Sequence, residues 1–392
     1  MSKGNLAIVG IGEVPTRRMP ERTRWDILLE VCMQAIRDAG IDKNEVEGVV
    51  SVAPQAQPRI TGEIAFGKIP EELGMKGCKD ICIANAGGAG TSNCLRLAGE
   101  YIASGMAKFV LIPHVTVQSD IPLEEVIQFF GTAGIDLQWE YPYGTTYNGT
   151  MGMITQRYMY ETGTTAEQMA AVVVANRAWG ALDPRSLFYK KPITIEEVLA
   201  SKMISSPLHA KECNVLADGG GAMVVTSAEI AKQMSDKPVF LKGHGAQFLG
   251  ACPVIREDYN WREGYRSSAK DAFAQAGMTR EDIDVFEIYG AYPFTQMTAL
   301  EGIGITKVGE TGQFVLDGNT MPGGSTPVST IGDAVGRGHA GSGVSMANYI
   351  QMVRQLTDRA GEQQVANCEN VLTTASGGSG MNVITSIWGR EI

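Results

Sequence analysis

Two stretches decide how this chain reads: AIRDAGIDKNEVEGVVS, residues Ala35–Ser51, and AFAQAGMTREDIDVFEI, residues Ala272–Ile288. They align without gaps. Ala35 meets Ala272, Ala39–Gly40 meets Ala276–Gly277, Glu45 meets Asp282 and Val46 meets Ile283. Each copy reads as the end of a helix, a glycine where a C-terminal cap belongs, a short polar turn and a strand. The segments downstream of the two copies are also alike. The first copy leads to the glycine turn, helix and strand of GGAGTSNCLRLAGEYIASGMAKFVLI, and the second, further on, to HAGSGVSMANYIQMVRQL and ENVLTTAS. The chain is therefore predicted to be a duplication of two similar α/β halves.

Outward from the repeat, strand-like apolar runs alternate with helical patterns, the sign of an α/β protein. Predicted strands are Leu6–Val9, Val49–Val52, Asp80–Ala84, Phe109–Pro113, Gly219–Thr226, Pro238–Gly245, Val285–Ile288, Val371–Ser376 and Asn382–Trp388. Residues 114 to about 210 break the rhythm and hold many of the tyrosines, among them Tyr141, Tyr143, Tyr147, Tyr158, Tyr160 and Tyr189. This stretch reads as an excursion over one end of the sheet, of the kind that forms lids and binding loops. The expected division is 1–113 with 211–235 as the first half, 114–210 as an inserted loop domain, and 236–392 as the second half.

Composition excludes several classes. Of 392 residues, 44% are hydrophobic and 19% charged, as in a soluble globular protein. A net charge of −10 without a basic stripe argues against a nucleic-acid surface. No window has the length of a membrane span, and the N-terminus reads as a buried strand, without a signal-peptide cleavage pattern. The seven cysteines (Cys32, Cys78, Cys82, Cys94, Cys213, Cys252 and Cys368) are odd in number and scattered, which fits a reducing cytoplasm. Cys78 and Cys82 have no companion ligands nearby, so no metal site is expected in this chain. GIGEVP (Gly10–Pro15) lacks the third glycine of a dinucleotide fingerprint.

Four further segments carry a resemblance: SSPLHAKECNVLADGGGAMVVTS (Ser205–Ser227), DVFEIYGAYPF (Asp284–Phe294), TPVSTIGDAVGRGHAGSG (Thr326–Gly343) and TTASGGSGMNV (Thr373–Val383). With the turn NAGGAG (Asn85–Gly90), they make essentially the whole chain resemble the thiolase superfamily. The likeness is greatest to its sterol-carrier-protein thiolase-like branch, whose members often work with a small OB-fold, zinc-binding partner subunit. The resemblance implies a five-layered αβαβα fold of two duplicated halves with an inserted loop domain, and coenzyme A as a substrate. It also implies a homodimer built next to the strand Asp80–Ala84, and a zinc-ribbon partner that carries any zinc.

The departures from the family bear on the chemistry. Thiolases place a nucleophilic cysteine where a strand turns into a helix N-terminus, because the helix dipole and backbone N–H groups favour the thiolate. Counting back from LRLAGEYIASG, that position here is Gly88. Ala375 takes the place of the second cysteine, Tyr289 stands where Asn or His is usual, and Gly290 where an acid often sits. His339 falls on the family's catalytic histidine.

The chemistry has three readings. One is Claisen or retro-Claisen chemistry on a branched or aromatic 3-oxoacyl-CoA with CoA, for which the 2-benzoylsuccinyl-CoA thiolase type would suit. The second is retro-aldol cleavage of a β-hydroxyacyl-CoA, which needs a base and an enolate pocket but no acyl-enzyme, and for which aldolases of this branch rely on tyrosines. The third is a non-catalytic acyl-CoA-binding subunit. The Gly-Arg-Gly-His run ending in His339 favours the first, since acyl-transferring relatives keep a similar run.

The residues expected to act are His339 as general base or as donor to a thioester oxygen, Tyr289 as a catalytic or oxyanion-binding hydroxyl, and Gly88 and Gly377 as backbone oxyanion donors. Gly87, Gly90, Gly338, Tyr143 and Tyr147 are expected along the coenzyme A path. Each has a plainer alternative: a loop histidine, a core tyrosine, glycines that serve helix–strand packing, or aromatics at a dimer interface. Cys82 and Cys94, on either side of the turn, read as small buried apolar residues.

Overall fold

The structure is a computed structural model that describes residues 5–52, 62–119, 121–131, 135–136, 138–234, 238–250, 256–257, 259–340, 343–378 and 380–392, with backbone only for 62–66, 129, 343 and 344. Cys252 and the expected junction at 235–236 lie outside the described residues.

The first half runs β1 (Ala7–Arg17), α1 (Arg24–Asp38), β2 (Val46–Val52), α2 (Gly62–Leu73), β3 (Asp80–Ala84), α3 (Gly90–Ala103) and β4 (Phe109–Thr116). Next come α4 (Leu123–Gly131), α5 (Tyr147–Thr162), α6 (Ala166–Ala181), α7 (Ile195–Leu199) and the small hairpin β5 (Met203–Ser205) and β6 (Leu208–His209). After the hairpin come β7 (Asp218–Thr226) and α8 (Ala228–Met234). The second half holds β8 (Val239–Phe248), α9 (Arg262–Ala276), β9 (Val285–Ile288), α10 (Pro293–Ile303), α11 (Thr311–Leu316), α12 (Asp333–Arg337), α13 (Gly343–Leu356), β10 (Asn370–Gly377) and β11 (Asn382–Gly389).

The repeat seen in the sequence is a repeat of local structure. Helices α1 and α9 end at Gly40 and Gly277, with φ of +68° and +69°, a left-handed backbone that glycine adopts without steric cost. Each polar turn after these glycines is a single 3₁₀ turn closed by an acid. The Glu45 carboxylate accepts from the Asp42 N–H at 2.8 Å, and the Asp282 carboxylate from the Thr279 N–H at 2.8 Å. The aligned acidic residues therefore do the same capping job.

Topology repeats as well. The strands form one sheet in the order β3-β2-β4-β7-β1-β8-β11-β10-β9. In the first half β2–β4 is parallel, while β4–β7 and β7–β1 are antiparallel. In the second half β9–β10 is parallel, while β10–β11 and β11–β8 are antiparallel. The halves join through a short antiparallel contact of β1 with β8, at Ala7↔Phe240 and Ile8↔Val239.

Side-chain alternation sets the layers. Val110 and Ile112 of β4 and Met223 and Val225 of β7 face a central core, which also contains Cys94, Leu95 and Ala98 of α3 and Met346, Ile350 and Val353 of α13. That core takes Val239 and Leu241 of β8 and Val371 of β10 from the other half-sheet, so α3 and α13 lie between the two half-sheets. The opposite face of the first half-sheet, with Leu111 and Val224, packs on α1. The second half-sheet packs outward on α9 and α10. The order of layers is helix, sheet, helix, sheet, helix. Among the described residues no helix is long and apolar enough to cross a membrane.

Candidate active site

Strands β3, β9 and β10 end at the same side of the molecule, where ligands bind in sheets of this kind. The turn after β3, Ala86–Gly88, meets the end of β10 backbone to backbone. A Cβ on Gly377 would lie 1.9 Å from the Ala86 carbonyl oxygen, and one on Gly87 2.6 Å from the Gly378 nitrogen. These glycines let the two half-domains touch at the site. A cavity of about 890 Å³ opens there. Its floor holds Gly88, Tyr289 and His339, and its walls include Val126, Ile127 and Phe130 of α4, Tyr147, Asn148 and Met151 of α5, and Trp261, Tyr292, Ser376, Gly378 and Met381.

Tyr289 comes directly after β9 and is held by its N–H donating to the Thr374 carbonyl at 2.9 Å. His339 comes from far along the chain, on a loop fixed by short backbone bonds. Its N–H donates to the Val215 carbonyl at 2.8 Å, and its carbonyl accepts from the Ala217 N–H at 3.0 Å. Beneath that loop Arg337, fully buried, pairs with Asp183 at 2.5 Å and Glu13 at 2.8 Å, and Glu13 also holds Arg354 at 2.6 Å. A buried network of this kind fixes position because losing one member strands the other charges.

The Tyr289 hydroxyl lies 3.2 Å from Nε2 of His339. Both side chains are buried, at 7% and 5% exposure, so the contact is screened from bulk water. Burial lowers the His339 imidazole to about 4. Burial also pushes the Tyr289 hydroxyl well above the ordinary tyrosine range, with Tyr147 adding to it. At neutral pH the pair is thus a neutral imidazole against a protonated phenol. Nδ1 of His339 is buried with no hydrogen-bond partner among the described residues, and the Phe130 ring stands edge-on to the imidazole at 6.4 Å between centroids. A second tyrosine pair lines the wall. Tyr147 donates to the Gly378 carbonyl at 3.1 Å and Tyr292 to Oδ1 of Asn148 at 2.5 Å.

The structure thus gathers Gly87, Gly88, Tyr147, Tyr289 and His339 around one cavity. Other expected residues fall elsewhere. Tyr143, in a 3₁₀ turn that ends at Gly144, is 86% exposed and does not line the cavity. A Cβ on Gly90 would press on the Val52 side chain at 3.0 Å, and one on Gly338 on the Leu187 and Thr16 side chains at 3.2 Å, and neither glycine lines the cavity. Gly377 lies under Ala86, and its neighbours Ser376 and Gly378 reach the cavity instead. Cys94 is fully buried on α3 and Cys82 half-buried on β3, and neither lines the cavity. Sequence reasoning missed Tyr292, Asn148 and Trp261, since a tyrosine or tryptophan on an apolar face looks the same in core and cavity. It also missed Asp333, whose one signal was an acid inside a glycine run.

Residues 254–390 match the family described as thiolase C-terminal domain-like. The chain is 29% identical over 387 residues to an acetyl-CoA acetyltransferase of Methanothermobacter thermautotrophicus, covering 98% of this chain and 100% of that one. It is 29% identical over 395 residues to the 17-hydroxy-3-oxo-4-pregnene-20-carboxyl-CoA lyase of Mycobacterium tuberculosis, covering 96% and 98%. A solved structure titled "Ltp2-ChsH2(DUF35) aldolase" superposes with a TM-score of 0.83 at 26% identity, over 100% of this chain and 99% of that one. A duplicated, five-layered fold with a site where its two halves touch defines the thiolase class. The chain has a thiolase-like fold and is similar over nearly its whole length to enzymes of the thiolase superfamily.

Proposed function

We propose that this protein cleaves or forms the carbon–carbon bond next to a CoA thioester without an acyl-enzyme, with Tyr289 and His339 as its acid–base pair. The observation that carries this is the buried contact of Tyr289 Oη with His339 Nε2 at the floor of a cavity lined by no cysteine among the described residues. Such a site moves protons but offers no thiol to hold an acyl group.

Retro-aldol cleavage of a β-hydroxyacyl-CoA uses these groups and no second substrate. The β-hydroxyl passes its proton to Tyr289 Oη as the Tyr289 proton moves to His339. The O–H electrons become the new carbonyl, the Cα–Cβ bond breaks, and its electron pair enters the thioester as an enolate. That enolate takes the proton back at Cα, and the backbone N–H of Gly88 serves its oxygen. The retained His339 favours a second reading, retro-Claisen cleavage, in which the imidazole takes the proton of a CoA thiol that attacks a 3-oxo carbon directly. That route asks one cavity to admit two CoA chains at once, so the first reading fits the site better.

The wall of Val126, Ile127, Phe130, Met151 and Trp261 suits a branched or aromatic acyl group, and the relatives' names support a CoA thioester. The likeness to a structure titled with a DUF35 component supports a partner subunit, to which the reading adds a homodimer and a zinc-ribbon partner, and a cytoplasmic location is in keeping with six free cysteines among the described residues. We also keep 114–210 as the loop domain that closes over the acyl chain. The test is a crystal structure with a non-cleavable 3-hydroxyacyl-CoA thioether. Its β-oxygen is expected within hydrogen-bond distance of Tyr289 Oη, and density elsewhere would refute the assignment.

A further inference from the structure

Asp333 has a glycine's backbone and a core residue's burial. Its φ is +49° and it is 1% exposed. A left-handed backbone at a non-glycine residue is strained and persists where the surrounding structure or the function requires it. Oδ2 accepts a hydrogen bond from the Gly290 N–H at 3.0 Å and the Ala334 N–H also favours the carboxylate, while Oδ1 is buried with no hydrogen-bond partner among the described residues. No ion pair of Asp333 occurs among the described residues. Burial pushes its carboxyl well above the usual carboxylate range, and the neighbouring Glu287 adds to this.

Gly290 explains why the carboxyl fits. A Cβ there would lie 2.9 Å from Oδ2 of Asp333, so the acid occupies the space the glycine leaves empty. Gly290 is the residue after Tyr289, and Asp333 opens α12, whose far end is Arg337, two residues before His339. The two members of the acid–base pair come from segments fifty residues apart in sequence. The Asp333–Gly290 hydrogen bond ties those segments together directly behind the pair.

We propose that Asp333 is a positioning residue: through its hydrogen bond from the Gly290 N–H it clasps the Tyr289–Gly290 turn to the segment that carries His339, and so sets the contact between the two side chains. This rests on the acid–base reading of that pair. The geometry separates activity from stability. Glycine at 333 relieves the backbone strain but loses the clasp, whereas asparagine keeps a neutral acceptor of the same shape and tolerates the left-handed backbone.

The test measures Asp333→Gly, Asp333→Asn and Tyr289→Phe on 3-hydroxy-3-phenylpropanoyl-CoA. Asp333→Gly is expected to lower kcat by about 10²-fold with KM unchanged, the scale of a misplaced catalytic group, while its melting temperature holds. Asp333→Asn is expected to keep kcat within about two-fold, the rescue that positioning by a neutral acceptor requires. Unchanged kcat in Asp333→Gly, or an equal loss in Asp333→Asn, overturns the proposal. If the wild-type protein does not turn over this ester, the functional reading fails and the crystal structure of Asp333→Gly decides positioning. Loss of the Tyr289–His339 contact supports the clasp, and an intact contact refutes it.

Discussion

A Cβ atom on Gly88 would lie 2.3 Å from Cε1 of Tyr289, so the tyrosine ring stands where a side chain at 88 would have to be. The position at which the superfamily resemblance places a nucleophilic cysteine is thus filled from across the site by a phenol. The missing thiol and the tyrosine are two sides of one packing arrangement.

Gly88→Cys should therefore fail to create a thiolase. The new side chain meets both the Tyr289 ring and the Ser376 carbonyl, which a Cβ would approach to 2.5 Å. Overpacking of this kind costs about 1–3 kcal/mol, which urea unfolding would register. Intact-protein mass spectrometry after incubation with acyl-CoA should show no thioester at the introduced thiol. A stable variant that carries such an adduct would show that the ring gives way.

Tyr289→Phe keeps the ring and its packing but removes the hydroxyl that meets His339. Turnover should fall by about 10²-fold or more, the usual range for a lost acid–base group, with the affinity for CoA esters held. Equal turnover in the two proteins would reduce Tyr289 to a packing residue.

The pH profile of kcat/KM should have its acid limb near 4. His339 accepts a proton only as the neutral imidazole, and burial lowers it from 6.5 to about 4, so the active form persists until pH falls to that value. A limb near 6.5 would mean that the histidine is solvated in the working enzyme.

Glu287, two residues before Tyr289, offers a test of burial that does not depend on activity. Burial raises its carboxyl from 4.5 to about 7, although it accepts hydrogen bonds from the Thr330 N–H at 2.9 Å and Asn348 at 3.2 Å. A raised carboxyl supplies stability that is full below about 4.5 and lost as pH rises through about 7. The difference in unfolding free energy between the wild type and Glu287→Gln should therefore fall across that window and level off above it. A difference that rises with pH would mean that Glu287 is buried as a carboxylate.

Much of the fold was legible because it is written in periodic patterns. The Ala35–Ser51 and Ala272–Ile288 repeat showed the duplication, and Asp80–Ala84 and Val285–Ile288 are strands with the bounds read from sequence. His339 and Tyr289 could be singled out because the superfamily resemblance places one on the catalytic histidine and the other where Asn or His is usual. Their contact was not legible, since it depends on the packing of two segments fifty residues apart in sequence. Tyr143 and Tyr147 looked alike in the sequence, but the first stands in a solvent-exposed turn while the second opens α5 and lines the cavity. Asp333 was passed over because only the fold brings it to Gly290.

Incubation of the purified protein with 3-hydroxy-3-phenylpropanoyl-CoA in the absence of free CoA, with product analysis by mass spectrometry, separates retro-aldol from thiolytic cleavage. Acetyl-CoA and benzaldehyde are expected in equal amounts, with formation lost in Tyr289→Phe. Cleavage seen only with the 3-oxo ester, and only when free CoA is added, would contradict the retro-aldol reading.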